Sequence, residues 1–480
     1  MSNSRLAQSF GWKLFERLGV QGVQFVLQIV LARLLDPEHY GVLSIMVIFT
    51  SLANVFIQHG LNTALIQHKD ADDDDFSSVF WVLLLIVGGL YALLFFSAPF
   101  IAQFYKMPDI VAPLRVLALV LFPGALNSVQ LAKVSRKMDF KKVFYGNVAA
   151  IIVSGLAGII IAYLGGGLWA LVIQNVLNVL VACIVMLFTV DFVPKLYCNI
   201  SRVKVFFSFG WKLLVSSLLD AFYQDLRSLV IGKKYDSGTL GYYNRGKQFP
   251  QFIINAVNGA VQSVMLPAMS AEQENQNEVK QMMRTSITMS AYIIFPMMAG
   301  LAAVAEPLVT LFLTEKWLPC VPYMQVYCIT MAFYPVHSCN LQAINAMGRS
   351  DLFLKLEIIK KSYGIIALVI AVLCFNSPLA IAMTGLITTW ISWFVNSRPN
   401  KKLIGYSVKE QMEDLLPSML MSVLMAGCVL LVGMLQIHVI LKLILQIIVG
   451  VIAYLLMSCI VKPKQYRMLM SKVTDFLKRK

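Results

Sequence analysis

Amide and basic side chains recur at helical spacing in three stretches of this sequence. The first stretch contains Lys13, Arg17, Gln21, Gln24 and Gln28, spaced 4, 4, 3 and 4 residues apart. This spacing puts all five on one face of a helix. Amides both donate and accept hydrogen bonds, which suits a ligand rich in hydroxyls, and the cations suit phosphate. The pattern therefore predicts a surface that binds a sugar bearing an anionic group.

The residues of the two other stretches are also three or four positions apart and predict one polar face each. They comprise Lys212, Ser216, Asp220, Gln224 and Arg227, and Gln248, Gln251, Asn255, Asn258 and Gln262. Polar side chains are costly in hydrocarbon, so each face must contact protein or line a water-filled cavity. As an alternative to a cavity lining, these amides could form hydrogen bonds that join neighbouring helices. Four or five polar residues in register on one helix favour a cavity lining.

The candidate substrate-binding residues are drawn from these faces and their surroundings. They are Lys13, Arg17, Gln21, Gln24, Gln28, Arg33, Gln58, Lys212, Arg227, Arg245, Lys247, Gln248, Gln251, Asn255, Asn258 and Gln262. Glu16, Asp220 and Asp225 are candidate carboxylates for coupling to H⁺ or Na⁺. The alternative for the acids is local ion pairing, Glu16 with Lys13 and Asp225 with Arg227. We predict no catalytic residue, no metal ligand and no cofactor.

The composition indicates a polytopic membrane protein. Of 480 residues, 58% are hydrophobic and 14% are charged, whereas soluble chains carry about 25% charged residues. Long apolar runs predict about 14 transmembrane helices. Their centres are predicted near Val23, Thr50, Gly89, Leu121, Ser154, Val179, Leu219, Ala256, Met298, Thr330, Val369, Thr388, Val423 and Val449.

The distribution of Lys and Arg predicts the orientation. With 14 spans, 30 of the 40 basic residues lie at the termini and in the loops on the same side, which places both termini in the cytoplasm. The net charge of +15 is then a topology signal dispersed over short loops, so we expect no nucleic-acid partner. The other ten basic residues are predicted on the opposite, outer side of the membrane, and half of them fall in the single hairpin between predicted helices 7 and 8. They are Arg227, Lys233, Lys234, Arg245 and Lys247.

The chain contains an internal repeat. The hexamer SFGWKL occurs at 9–14 and again at 208–213, and further on Asp36 and Gly41 match Asp236 and Gly241 at an offset of 200. Helix 1 thus corresponds to helix 7, and six helices per repeat make the repeats parallel. We predict an N-lobe at 1–200 with helices 1–6, a C-lobe at 201–400 with helices 7–12, and two extra helices with a basic cytoplasmic tail at 401–480. Transporters built from such repeats bind substrate between the halves.

Two loop features have simple structural interpretations. The acidic run DADDDD (70–75) precedes helix 3, where negative charge favours the helix dipole. Gly165–Gly167 predict a tight turn between helices 5 and 6. The sequence has no GxSxG, HExxH or P-loop motif, and no outside loop exceeds roughly 20 residues. We therefore expect a protein that is not an enzyme.

Several segments together resemble a known family. They are VLQIVLARLLDPEHYGVLSIMVIF, GLNTALIQHKD, KMDFKKV, GGGLWALVIQNVL, GTLGYYNRGKQFPQFIINAVNGAVQSVMLPAMS and EPLVTLFLTEKWLPCVPYMQV. They are similar to the Wzx-like polysaccharide flippases, in the polysaccharide transport family of the multidrug/oligosaccharidyl-lipid/polysaccharide exporter superfamily, and most to the colanic acid exporter branch. The resemblance extends in order to about residue 400. One departure is that Arg33 of LARLL is matched in the repeat by Lys233.

The resemblance implies an all-α membrane protein with two six-helix lobes in a V-shaped bundle like that of the multidrug exporters. It implies a flippase that moves an undecaprenyl-pyrophosphate-linked oligosaccharide from the cytoplasmic to the periplasmic leaflet of the bacterial inner membrane by alternating access. The product would be lipopolysaccharide, capsule or exopolysaccharide. Expected partners are the lipid-linked oligosaccharide, membrane lipid and other polysaccharide assembly proteins. A cation-coupled multidrug exporter is the alternative; it would need acidic, aromatic cavities, whereas the charges here are mostly basic.

Overall fold

The computed structural model describes residues 22–68, 70–137, 139–468 and 470, and in these residues the chain forms helices without β-strands. The helices are α1 Gly22–Leu34, α2 Pro37–Gln58, α3 Leu61–Gln67, α4 Asp73–Tyr105, α5 Val111–Leu117, α6 Leu121–Lys137, α7 Phe140–Tyr163, α8 Leu168–Thr189, α9 Ile200–Lys234, α10 Ser237–Ala271, α11 Gln276–Ala303, α12 Ala305–Phe312, α13 Val321–Ala332, α14 Tyr334–Ala346, α15 Ser350–Cys374, α16 Pro378–Leu403, α17 Val408–Gly433 and α18 Val439–Val461. Short 3₁₀ helices cover Pro108–Ile110, Ala118–Val120 and Glu315–Cys320.

The helices confirm the prediction of an all-α polytopic membrane protein. Within the described residues, nine segments are long and apolar enough to cross a bilayer, and α9 is a tenth if its two bent halves count as one span. Each of the fourteen predicted centres lies on one of the helices. The count of fourteen spans itself stays a prediction.

The chain forms two compact units, Met1–Gly241 and Tyr242–Lys480. The first unit includes α9, which the repeat assigns to the C-lobe. The sequence repeat, and not the spatial contacts, defines the predicted lobes and the extension. Their boundaries at 1–200, 201–400 and 401–480 therefore stay predictions.

Apolar side chains fill the interior of each unit. In the first unit, Leu65, Leu83 and Val129 are fully buried where α3, α4 and α6 meet. In the second unit, Met283 on α11 and Trp393 on α16 belong to one buried apolar cluster. These cores bring the helix ends together and so determine which polar groups on neighbouring helices can meet.

Glycines form the turns and close approaches of the first unit. Gly165 and Gly167 adopt φ values of 80° and 49° between α7 and α8, which confirms the predicted tight turn, since this region favours glycine. Gly60, at the break between α2 and α3, has φ 91°. A methyl group on Gly210 would lie 2.4 Å from the carbonyl carbon of Gly60. The glycine of the second SFGWKL copy therefore lets α9 cross this break at backbone contact.

The two last helices are integral to the second unit. The Tyr292 hydroxyl on α11 donates to Ser458 Oγ on α18 at 2.8 Å, and the Tyr454 hydroxyl donates to the Tyr292 carbonyl at 2.8 Å. Arg284 on α11 is paired with Asp414 on α17 at 2.6 Å. These contacts join α17 and α18 to α11 although both helices lie outside the sequence repeat.

Candidate substrate-binding surface

Several predicted site residues lie outside the described part of the chain. They are Lys13, Glu16, Arg17 and Gln21. Asn258 and Gln262 lie on α10, but the side chains at these positions are not described. Their proposed contributions to binding and coupling stay predictions.

The polar face of α9 is accessible along much of its length. Lys212, Ser216 and Gln224 are exposed, and Asp220 and Arg227 are half-buried. Amides and hydroxyls that join neighbouring helices are buried where the helices touch. Apolar side chains of the same stretch are exposed too, among them Trp211, Leu219 and Phe222. Exposure therefore does not distinguish the polar face from the rest of α9, and its role as a cavity lining stays a prediction.

The other predicted residues range from exposed to half-buried, with one exception. Gln24, Arg33 and Asn255 are exposed, whereas Gln28, Gln58, Lys247, Gln248, Gln251 and the candidate coupling residue Asp225 are half-buried. The α10 face thus begins partly covered at Lys247 and becomes accessible at Asn255.

Arg245 is the exception, because it is buried at 5% exposure. Its Nη1 donates to Gln248 Oε1 at 2.6 Å, and its guanidinium lies 5.1 Å from the centre of the Trp317 ring. A cation over an indole face is stabilised by the ring quadrupole. Arg245 thereby holds the start of α10 against the 3₁₀ helix Glu315–Cys320, and its role as a substrate ligand stays a prediction.

Lys233, another cation of the unusual outside hairpin, also has a structural partner. Its ammonium donates to the carbonyl oxygen of Phe104 and lies 3.9 Å from the centre of that ring. Phe104 is in the last turn of α4, where carbonyl groups lack helical partners and the dipole favours a cation. Lys233 on α9 therefore caps the C-terminus of α4. This contact explains one of the basic residues that the sequence places on the outside, against the usual excess of Lys and Arg on the cytoplasmic side.

The acidic run forms the N-terminus of α4, as predicted. The Asp72 side chain accepts from the backbone nitrogens of Asp74 and Asp75, and the Asp75 carboxylate accepts from the Asp72 nitrogen. This reciprocal arrangement is a capping box. The negative charges lie at the positive end of the helix dipole.

Each acid of the first α4 turn also pairs with a cation. Asp73 pairs with Lys133 on α6 at 2.7 Å and Asp74 with Lys195 at 2.7 Å. Arg202 at the start of α9 binds Asp75 through Nε at 2.9 Å and Nη2 at 2.6 Å. The hydrogen bond that the Lys195 ammonium donates to Asp74, together with the negative charge of that carboxylate, raises the pKa of Lys195. The run thus fixes the α8–α9 connection to α4, which the sequence did not indicate.

A buried amide network in the second unit was also missed by the sequence reasoning. Gln411 Oε1 on α17 accepts from Trp393 Nε1 at 3.1 Å, Ser397 Oγ at 2.9 Å and Asn340 Nδ2 at 3.1 Å. Asn340 Oδ1 accepts from Gln411 Nε2 at 3.1 Å and from Asn400 Nδ2 at 2.8 Å. One or two amides on each of three helices form no stripe, so spacing alone cannot find them.

The buried Gln411 network and the exposed α9 face differ in which partners they can bind. The Gln411 network consists of amides whose donors and acceptors bind one another in the interior. The α9 face presents a cation, a hydroxyl and an amide at its surface. No cluster of three His, Cys, Asp or Glu side chains able to hold a metal ion occurs among the residues described. The α9 face therefore has the chemistry to hydrogen-bond a sugar and to attract an anion.

Comparison with known proteins decides the family. A family model described as "Polysaccharide biosynthesis protein" matches residues 30–322, more than half of the chain. The chain belongs to this family. This confirms the resemblance to the polysaccharide transport proteins drawn from the sequence.

Relatives of this polysaccharide biosynthesis protein extend over most of its length. It is 21% identical over 429 residues to the succinoglycan biosynthesis transport protein ExoT of Rhizobium meliloti, covering 88% of this chain and 86% of ExoT. It is 22% identical over 408 residues to the lipopolysaccharide biosynthesis protein WzxC of Escherichia coli, covering 83% and 82%.

A solved structure shares the fold of this family member. The lipid II flippase MurJ, in an inward closed conformation, aligns with a TM-score of 0.75 at 18% identity, covering 97% of this chain and 100% of MurJ. At this identity the likeness establishes the fold.

Proposed function

We propose that this protein is a flippase for an undecaprenyl-pyrophosphate-linked oligosaccharide. It moves the repeat unit from the cytoplasmic to the outer leaflet of the bacterial inner membrane by alternating access, for the synthesis of a surface polysaccharide. The observation that carries the proposal is the exposed polar face of α9 in a membrane protein of the polysaccharide biosynthesis family.

The physical requirement for such a surface follows from the substrate. A charged, hydroxyl-rich head cannot cross bare hydrocarbon at a useful rate, because it would lose its hydration without compensation. Lys212 on α9 offers a cation for the pyrophosphate, and Ser216 and Gln224 offer hydrogen bonds for the sugar. The lipid chain can stay in the bilayer while the head moves along this face.

The names of the related proteins support transport rather than catalysis. ExoT is named as a transport protein of succinoglycan biosynthesis and MurJ as a flippase of lipid II. The chain is accordingly a transporter and not an enzyme. A multidrug exporter that extrudes organic cations would favour acids along its path, whereas the exposed charge on the α9 face is Lys212.

Orientation, energy coupling and partners complete the proposal. Both termini are cytoplasmic, in keeping with the distribution of Lys and Arg. The coupling ion is H⁺ or Na⁺, with Asp220 and Asp225 as its acceptors and no resident cofactor. Other polysaccharide assembly proteins receive the flipped unit at the outer leaflet.

Deletion and complementation test this function in the native host. We expect loss of the gene to abolish the surface polysaccharide and to cause lipid-linked repeat units to accumulate, with both effects reversed by the wild-type gene. Gln224→Leu and Asn255→Leu should restore export poorly at normal membrane levels, because each removes an exposed amide from a polar face. Gln67→Leu, at an exposed amide on α3, is the matched control. Full export by both stripe variants would contradict a substrate path along these faces.

A further inference from the structure

The chain forms a new element directly after α18. The last helical residue of α18 is Val461, Lys462 adopts a left-handed conformation with φ 48°, and residues 464–468 are helical again. Pro463 stands between the two helical stretches, and it has no N–H group to donate to the carbonyl groups of α18. The segment that begins at Lys462 is therefore separate from the spanning helix.

Tyr466 holds this segment against the end of the second unit. Its ring packs on the apolar cluster that contains Tyr292, Met425 and Tyr454, and its hydroxyl lies 3.1 Å from Cys459 Sγ. Cys459 belongs to the last turn of α18. The segment therefore lies back against this turn and does not lead away from it.

The last turn of α18 marks the edge of the hydrocarbon. Ile460 and Val461 are 79% and 52% exposed at the end of a 23-residue apolar span. Apolar side chains exposed on a spanning helix face lipid, and the first cation, Lys462, follows at once. A segment held against this turn is consequently at the level of the phospholipid headgroups.

The segment presents cations at that level. Lys462, Lys464 and Arg467 are exposed, and none of them forms an ion pair within the part of the chain that the structure describes. The sequence from 462 to 480 contains seven basic residues and one acid. A cluster of this kind next to a spanning helix is attracted to anionic lipid.

Apolar side chains accompany these cations. Met468 and Met470 are 42% and 45% exposed. Further along the sequence, Val473 and Leu477 follow Met470 at helical spacings of three and four residues. In an interfacial segment the apolar side chains reach the acyl boundary while Lys and Arg extend to the phosphates. The combination fits a lipid surface better than an acidic protein, which would need only the cations.

We propose that the segment beginning at Lys462 is a binding surface for anionic phospholipid. Lys462, Lys464 and Arg467 bind the lipid phosphates, and Met468 lies against the acyl chains. The leaflet is the cytoplasmic one if the proposed orientation holds, and the inference does not depend on which substrate the protein transports.

Quenching by brominated lipid measures this preference. The eight natural cysteines are replaced by serine, which leaves residue 459 a polar partner for Tyr466, and Met468→Cys is labelled with a fluorophore. The full-length protein is reconstituted in mixed vesicles of phosphatidylcholine and phosphatidylglycerol, with bromine on one lipid or on the other. Both leaflets have the same composition, so the result does not depend on the orientation of the protein.

The proposal predicts stronger quenching by brominated phosphatidylglycerol than by brominated phosphatidylcholine at the same mole fraction. The preference should largely disappear in about 1 M salt, because the Debye length falls there to about 3 Å. Equal quenching by the two lipids would overturn the proposal, as would a preference that is unchanged in high salt. Both results are obtained without altering a basic residue.

Charge variants assign the preference to these cations. Lys464→Gln with Arg467→Gln should lower the binding constant of phosphatidylglycerol relative to phosphatidylcholine by roughly fivefold or more, since one basic residue near an anionic surface contributes about that factor. Lys401→Gln with Lys402→Gln is the matched control, because it removes two exposed cations from the last turn of α16. An equal loss in the control pair, or no loss in the first pair, would contradict a binding surface at this segment.

Discussion

The bond between Asp75 and Arg202 fixes the start of α9 to the start of α4, and its removal has a calculable effect. Asp75→Asn keeps the size of the side chain and an oxygen for the Asp72 nitrogen, but it removes the charge. The Asp75 side chain is 4% exposed and receives two guanidinium hydrogen bonds. Charge-assisted bonds stabilise by about 1 kcal/mol more than neutral ones. Two such bonds make the expected loss about 2 kcal/mol, reduced somewhat because Arg202 can turn to water.

Two backbone amides report this loss directly. The amide nitrogen of Lys195 donates to Ser77 Oγ at 3.1 Å, and that of Asn199 donates to Ser78 Oγ at 2.9 Å. Both amides are protected only while the α8–α9 connection lies on α4. Because about 1.4 kcal/mol corresponds to a factor of ten, a loss of about 2 kcal/mol should accelerate their hydrogen exchange by roughly 30-fold.

The assay is hydrogen–deuterium exchange with mass spectrometry on purified protein, following peptides that cover 190–202. Asp70→Asn is the matched control, since it removes one charge from the same acidic run at an exposed position. Exchange in Asp75→Asn that equals exchange in wild type or in Asp70→Asn would refute the reasoning that this ion pair holds the connection.

Two further predictions concern the second unit and the contrast between buried and exposed amides. Gln411→Leu should lower the free energy of unfolding by roughly 3–5 kcal/mol, because it leaves buried partners on α14 and α16 unbonded. Gln224→Leu on the exposed α9 face should leave the melting temperature unchanged. If the two variants have the same melting temperature, the distinction between buried and exposed amides is contradicted. Tyr292→Phe should cost about 1 kcal/mol by removing the bond to Ser458, seen as faster proteolysis of α18. Tyr163→Phe, at 82% exposure, is its control, and α18 cleavage that is no faster in Tyr292→Phe would show that this bond does not hold the helix.

Periodicity and composition predicted the helices well because the bilayer imposes a simple rule on each span. Every predicted centre lies on a helix, and Gly165–Gly167 form a turn because only glycine readily adopts positive φ there. The α9 stripe was recognisable for the same reason, since a face of one helix is encoded by spacing in one segment.

The missed features depend on residues far apart in the chain. Asp75 and Arg202 are 127 positions apart, and Asn340 and Gln411 are 71 apart. Each residue looks ordinary within its own segment, and only the packing of α4 with α9 or of α14 with α17 brings the partners together. The repeat did contain one long-range signal, because the second SFGWKL copy includes Gly210, but only the structure shows that Gly210 contacts Gly60.

The central claim is that this chain moves an anionic, sugar-bearing lipid across the bilayer, and its direct measurement is the flipping rate in proteoliposomes. Purified wild-type protein is reconstituted with fluorescent undecaprenyl-pyrophosphate-linked oligosaccharide, and the accessible fraction is followed with an enzyme or quencher added outside. We predict rapid equilibration between the leaflets with wild-type protein and a clearly slower rate with Gln224→Leu. Equilibration no faster than in protein-free liposomes, by protein that is folded and embedded, would contradict the claim.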